Sequence, residues 1–399
     1  MKRIYRYISD AIMYVSFFSW FPFVAIHLNQ QWGGALTGTL LSLVAVLSVI
    51  ISLYVARLAD YYAKKKVLNA IFSGYLLAAL LFVLSFWYAS PVLYLCAFSL
   101  LSWSFTLYFS VSKAIVSDAF PASEWKRVFS ALHVIFNVAF VVGPLLGGLL
   151  ANQGVWHAGI MLAATLVNMA AHHVLTDDVV PPPQKKRNAF QQFYGLSKDY
   201  RLSLFLLGSI LAAQAFMQLE LLLPVTIEER LRDLSATLLT YSVSSVSLFT
   251  LCMVVNGALI IALTRPFASL SDRYSLKFAF CASGMLYGLS MVIFAFATGP
   301  GGFMGGVLVL TLAELLVVSV QDTYIATISP EDKRSSYFAA ASIRFSISRI
   351  FAPQMLFIAG IMGNTAAFLI VGFIAALSAV VFMLLFSMRW HPLQSEEGR

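Results

Sequence analysis

The chain has 399 residues, 60% of them hydrophobic and only 11% charged. A water-soluble chain of that length cannot hide so much apolar surface, whereas a lipid-facing one has no need to. The net charge of +8 would suit nucleic acid, but the basic residues cluster in short loops between apolar runs, which is how membrane topology is written.

Twelve apolar stretches are long enough to cross about 30 Å of hydrocarbon at about 1.5 Å per residue. They cover residues 8–28, 35–57, 67–88, 91–116, 127–151, 156–176, 201–225, 236–264, 278–298, 302–327, 335–360 and 365–388. Met1 to Tyr7 is basic, but no small-residue cleavage site follows it, so the first run reads as a retained helix. Minimal turns (Ala89-Ser90, Gly299-Pro300-Gly301) alternate with longer basic loops. The longest polar stretch holds Pro181-Pro182-Pro183 and Lys185-Lys186-Arg187 and reads as a linker. The expected domains are a six-helix bundle over 1–176, a cytoplasmic linker over 177–200 and a second six-helix bundle over 201–399. Cys96, Cys252 and Cys281 all fall in apolar runs, which speaks against a disulfide framework or a zinc site.

With both termini in the cytoplasm, tails and inner loops hold 21 of the 26 Lys and Arg residues. Outer loops hold two, Arg230 and Arg232, and that bias sets the expected orientation in a plasma or inner membrane. The halves also echo one another. Ala56-Arg-Leu-Ala-Asp60 with Lys64 to Lys66 follows the second helix; Ala268-Ser-Leu-Ser-Asp272-Arg273 follows the eighth, 212 residues later. Tandem six-helix repeats imply a transporter whose site lies at the repeat interface near midplane.

The Asp-then-basic loop resembles the signature between helices two and three of the major facilitator superfamily. Asp60 and Lys64 match it, as do Asp272 and Arg273, while Ala56, Ala63 and Tyr61 depart from it. An acid among bases at a helix end can latch neighbouring helices, although plain positive-inside anchoring gives the same loops. In helix five, Asn137 and Gly143-Pro144-Leu-Leu-Gly147-Gly148 resemble the Gly-Pro-x-x-Gly-Gly motif of the superfamily's antiporters. Glycines there permit close helix approach and the proline permits a kink, so simple packing is the alternative. Lys113 and Asp322 occupy equivalent ends of helices four and ten and could bridge the halves.

Charges inside apolar helices are the most informative residues, because each is costly unless paired, hydrated or neutralised. Glu220 lies in the outer third of helix seven, within Met217-Gln-Leu-Glu-Leu-Leu-Leu-Pro224, and Glu314 sits at the centre of helix ten. Arg344 and Arg349 lie in helix eleven, with Arg349 at a depth suited to holding Glu314 in one state and releasing it in another. These stretches resemble the proton-coupled multidrug antiporter branch of the superfamily. The resemblance implies that the acids of helices seven and ten take part in proton coupling and cation binding. That branch carries a further acid early in helix five, where this chain has Leu132 beside His133. Trp20, Trp32, Trp87 and Trp390 are expected in interfacial belts. Phe17, Phe18, Phe21, Phe105, Tyr108 and Phe109 face lipid by default, or line a cavity for amphipathic compounds.

The expectation is therefore an all-α membrane protein, a monomer that is not an enzyme and needs no cofactor or metal. It would use a proton gradient to export hydrophobic or cationic small molecules by alternating access. The alternatives are a dedicated exporter of a metabolite, sugar or lipid-like molecule, and a non-transporting membrane sensor.

Overall fold

The computed structural model describes residues 2–59, 64–119, 122–175, 199–231, 236–238, 241–243, 245–270, 273–318, 320–329 and 334–387. Its helices in the first half are α1 (Lys2–Phe18), α2 (Phe21–Ala59), α3 (Lys64–Trp87), α4 (Pro91–Ala119), α5 (Ala122–Leu149) and α6 (Gly154–Leu175). The second half has α7 (Tyr200–Met217), α8 (Leu222–Leu231), a hairpin of β1 (Ala236–Leu238) and β2 (Tyr241–Val243), then α9 (Ser245–Leu270) and α10 (Leu276–Phe296). It ends with α11 (Pro300–Val318), α12 (Gln321–Ile328), α13 (Arg334–Phe351), α14 (Gln354–Met362) and α15 (Asn364–Ser387). Among the described residues, ten helical stretches are long and apolar enough to cross a membrane. One of these, from Ile4 to Ile51, bends at Gly33 (φ 75°, ψ 166°) and holds two crossings, and the shorter Val134–Leu149 supplies another. Twelve crossings result, as the apolar runs required.

The departures lie at breaks and ends. The first helix begins at Lys2, not at residue 8, so Arg6 belongs to the bundle rather than to a cytoplasmic tail. Crossing one breaks at Ser19–Trp20, crossing seven at Gln218–Leu221 and crossing eleven at Ala352–Pro353. Crossing seven runs on to Leu231, which makes Arg230 helical rather than a loop residue. Crossing eight starts at Ser245, because the β-branched and aromatic residues before it pair as an antiparallel hairpin, Thr237 opposite Ser242.

In the first half α3 packs on α4 and α6, and α1 on α5. In the second half α10 packs on α11 and α15, and α7 on α13 and α15. The halves are joined by α2 against α8, α13 and α14, and by α5 against α9. Small residues make the first possible. A Cβ on Gly34 would lie 2.6 Å from the Leu356 carbonyl oxygen, and one on Gly38 would lie 2.5 Å from that of Pro353. Carboxylates finish this far end, opposite Lys2 and Ser387. Asn29 donates to Glu229 at 2.7 Å, Gln30 to Glu228 at 3.0 Å, and Asn364 to Glu229 at 2.7 Å. The halves are thus closed on one another at that end.

Exposed apolar side chains such as Trp87, Trp156 and Phe373 suit lipid. Trp20 is not in a belt: it is buried, stacked between Phe82 and His157 with ring centroids 3.9 Å from each. Trp390 lies outside the described residues.

Candidate functional site

Closure at the far end leaves a cavity between the halves, about 730 Å³ including its mouth. Phe17, Phe21, Phe98, Met217, Leu221 and Pro353 give it an apolar lining, softened by Ser48, Ser102, Thr106 and Ser346. Arg349 is the one charged side chain among its lining residues. The aromatic residues divide accordingly. Phe17 and Phe21 line the cavity, while Phe18, Phe105 and Tyr108 are buried in the bundle and do not face lipid.

Two prolines explain the local backbone. Pro224 has no N–H to give the Glu220 carbonyl four residues earlier, and Pro353 likewise leaves the Arg349 carbonyl without its usual donor. Both helices break there, and glutamines tie the breaks together. Gln218 Nε2 donates to the carbonyl oxygens of Gln214 and Ala352, each at 3.2 Å, and Gln214 Nε2 to that of Ser348 at 3.5 Å. Glu220 is 6% exposed, so its carboxylate does not snorkel to the surface. Among the described residues its Oε1 has no hydrogen-bond partner, and Arg349 is the cation acting on it across the break. A buried carboxyl left this incompletely satisfied can trade a proton at modest cost.

Glu314 sits in a different setting. Asn256 Nδ2 donates to Thr311 Oγ1 at 3.0 Å and to Glu314 Oε2 at 3.4 Å. Tyr287 lies within electrostatic reach, and among the described residues no basic group acts on this carboxylate. In this structure the electrostatic partner of Arg349 is Glu220, not the Glu314 that depth along the helix suggested. Arg344 serves neither acid in this structure; its Nη2 donates to Gln321 Oε1 at 2.9 Å and its guanidinium lies over Phe205 and Phe345.

A third buried charge group went unnoticed in the sequence. Asp10, fully buried, accepts from Arg6 Nη2 at 2.8 Å, from Tyr108 at 2.6 Å and from Ser112 at 3.0 and 3.2 Å. Arg6 also donates to Ser112, and Ser9 bonds Tyr108 at 3.0 Å. The available signal was the i,i+4 spacing of Arg6 and Asp10, which a helix starting at residue 2 puts on one face.

The glycine motif of helix five packs as spacing suggested. Gly143 and Gly147 lie against Phe18, Ser19 and Phe23 at the break of crossing one, and Gly148 lies against Thr250 of α9. Asn137 is half-buried beside it. Arg273 is exposed; Asp60 and Asp272, and the side chains of Lys64, Lys113, His133 and Asp322, lie outside the described residues. Among the described residues no group of three or more His, Cys, Asp or Glu gathers to hold a metal ion.

Closely packed transmembrane helices around a central cavity define a membrane transporter. The sequence profile of the Major Facilitator Superfamily matches residues 7–353, and the chain belongs to that family. It is 31% identical to a "Na(+), Li(+), K(+)/H(+) antiporter" of Planococcus maritimus, over 96% of this chain and 95% of that protein. It is 33% identical to the class H tetracycline resistance protein of Pasteurella multocida, over 29% of this chain and 28% of that one. Among solved structures, the nucleoside transporter NupG superposes with a TM-score of 0.76 at 14% identity, over 97% of this chain and 100% of that one.

Proposed function

We propose that this transporter is a proton-coupled antiporter that exports a small amphipathic or cationic solute through the central cavity. The observation that carries it is Glu220: a buried carboxyl at a helix break, with an unpartnered oxygen and under the influence of Arg349, the one charged residue among the described residues of the cavity wall. Protonation would cancel its attraction to Arg349 and loosen the tie between crossings seven and eleven. Deprotonation would restore that tie, so proton occupancy biases two arrangements of the same helices. Glu314 is the second acid in this reading. The proton gradient is the energy source and no cofactor is invoked. The chain works as a monomer in the cell membrane with both termini in the cytoplasm, and Asp60, Lys64, Asp272, Arg273, Lys113 and Asp322 serve the inner gate. The sequence resemblance to the multidrug antiporter LmrP and the similarity to a tetracycline resistance protein support efflux of organic compounds.

A second reading, exchange of alkali cations for protons, is favoured by the relative that matches nearly the whole chain. Both readings share the coupling step and are tested together. Purified protein in liposomes under an imposed pH gradient is expected to move ethidium, or Na⁺, Li⁺ or K⁺, against protons. Glu220→Gln should lower that exchange about 100-fold or more, the size of effect seen when a positioned proton-transfer group is removed. Gradient-driven exchange that survives both Glu220→Gln and Glu314→Gln unchanged would end the assignment.

A further inference from the structure

Glu314 is not among the cavity's lining residues, has no basic partner among the described residues, and takes its hydrogen bond from the neutral amide of Asn256. A carboxylate at membrane depth without a counter-charge is expensive, and three occupants relieve it: a proton, a protein cation or a bound cation. The protein cation is absent from the described surroundings. Thr311 and Glu314 stand three residues apart on α11, one face of one helix, and Asn256 reaches both from α9. Thr311 donates its hydroxyl proton to the Val307 carbonyl at 2.8 Å, so its Oγ1 lone pairs point toward the shared space. Asn256 and Thr311 are each 1% exposed, so their polar atoms serve this cluster and not solvent.

We infer that Glu314, Asn256 and Thr311 form a binding site for a bare alkali cation, in exchange for the proton of Glu314. The inference rests on the antiport reading and gives it a substrate class at a second location. The chemistry is that of a hard cation: one carboxylate and two neutral oxygens, with no nitrogen or sulfur ligand. Asn256 is the positioning element. In the structure its Nδ2 faces Thr311 and Glu314, the orientation suited to an empty carboxylate. Half a turn of the carboxamide presents Oδ1 instead, which accepts from a protonated Glu314 or coordinates a cation beside an ionised one. Charge balances in the exchange, because Glu314 loses one proton as one monovalent cation arrives. Among the described residues, Tyr287 is the other titratable group near the carboxylate.

The test uses the full chain in liposomes carrying a trapped pH dye. NaCl, LiCl, KCl or choline chloride is added under a pH gradient, and ethidium exchange is measured in parallel. In wild type the alkali chlorides, but not choline, should discharge the gradient. Asn256→Leu and Thr311→Val should raise the apparent KM for Na⁺ about tenfold, and Asn256→Asp, which keeps an oxygen ligand, should bring it back. Na⁺ should also raise the melting temperature of detergent-purified wild type relative to choline, and this shift should vanish in Asn256→Leu. Thr311→Val and the wild-type melting shift keep the test open if Asn256→Leu fails to fold. An unchanged KM in both variants, with only Vmax lowered, overturns the site. Ethidium exchange without any alkali response overturns the site and leaves the antiport reading standing; failure of both exchanges overturns the two together.

Discussion

The two halves bury charge in opposite ways. In the first half Asp10 has an arginine, a tyrosine and a serine, and every contact is within hydrogen-bonding distance. In the second half, among the described residues, Glu220 has a buried oxygen without a partner and a cation that acts only electrostatically, while Glu314 has a single long bond from an amide. A carboxylate with hydrogen-bond partners on all sides holds helices together. One left short of partners is held at a cost, and a protein keeps such a group where its charge has to change. The contrast separates scaffold from machinery without reference to sequence position. It also supports reading the second half as the seat of proton chemistry.

The largest effect should come from breaking the satisfied group. Asp10→Asn leaves Arg6 buried without its counter-charge, an arrangement that costs about 3–5 kcal/mol. Thermal unfolding of the purified variant should show a large loss, and replacing both partners, Arg6→Met with Asp10→Leu, should recover most of it. Glu220→Gln, in the same assay, should be neutral or stabilising even though it stops exchange. If Asp10→Asn melts like wild type and loses only transport, the division between scaffold and machinery collapses.

The count of crossings and the burial of Glu220 could both be read from runs of apolar residues and the few charges that interrupt them. Which cation answers which acid could not. Depth along a helix placed Arg349 level with Glu314, but the partner is decided by azimuth and by the neighbouring crossing, and neither is set by counting residues. The breaks at Gln218–Leu221 and Ala352–Pro353 bring Arg349 to Glu220 instead, and the four-residue spacings Glu220 to Pro224 and Arg349 to Pro353 were the readable trace of that. Arg6 was misplaced for a simpler reason. A basic residue ahead of an apolar run looks like an anchor unless its partner at i+4 is noticed, and Asp10 lies inside that run.

The comparison also bears on how closure at the far end is held. Packing there is backbone against backbone, so Gly38→Val should displace α14 and cost about 1–3 kcal/mol of the closed arrangement. A cysteine at Ala359, which lines a small cavity beside Glu229 and Asn364, reports on it. It should label faster with a membrane-impermeant thiol reagent when Gly38 is replaced. Labelling that stays at the wild-type rate would mean that α2 and α14 stay closed without this contact.

The smallest effect belongs to Glu229, and its size discriminates most finely. This carboxylate accepts from Asn29 of the first half and Asn364 of the second, at an exposed end where water competes for both bonds. Removing the charge with Glu229→Gln should therefore cost only about 0.5–1.5 kcal/mol of the closed arrangement, a few-fold rise in labelling of the same Ala359 cysteine. The acid differs from Glu220 in having water as an alternative partner, so its loss should alter the rate of opening and leave the dependence of exchange on the pH gradient intact. A Glu229→Gln variant whose exchange no longer responds to the gradient would place proton coupling at the gate as well as at the helix break. The far end would then belong with the machinery and not with the scaffold.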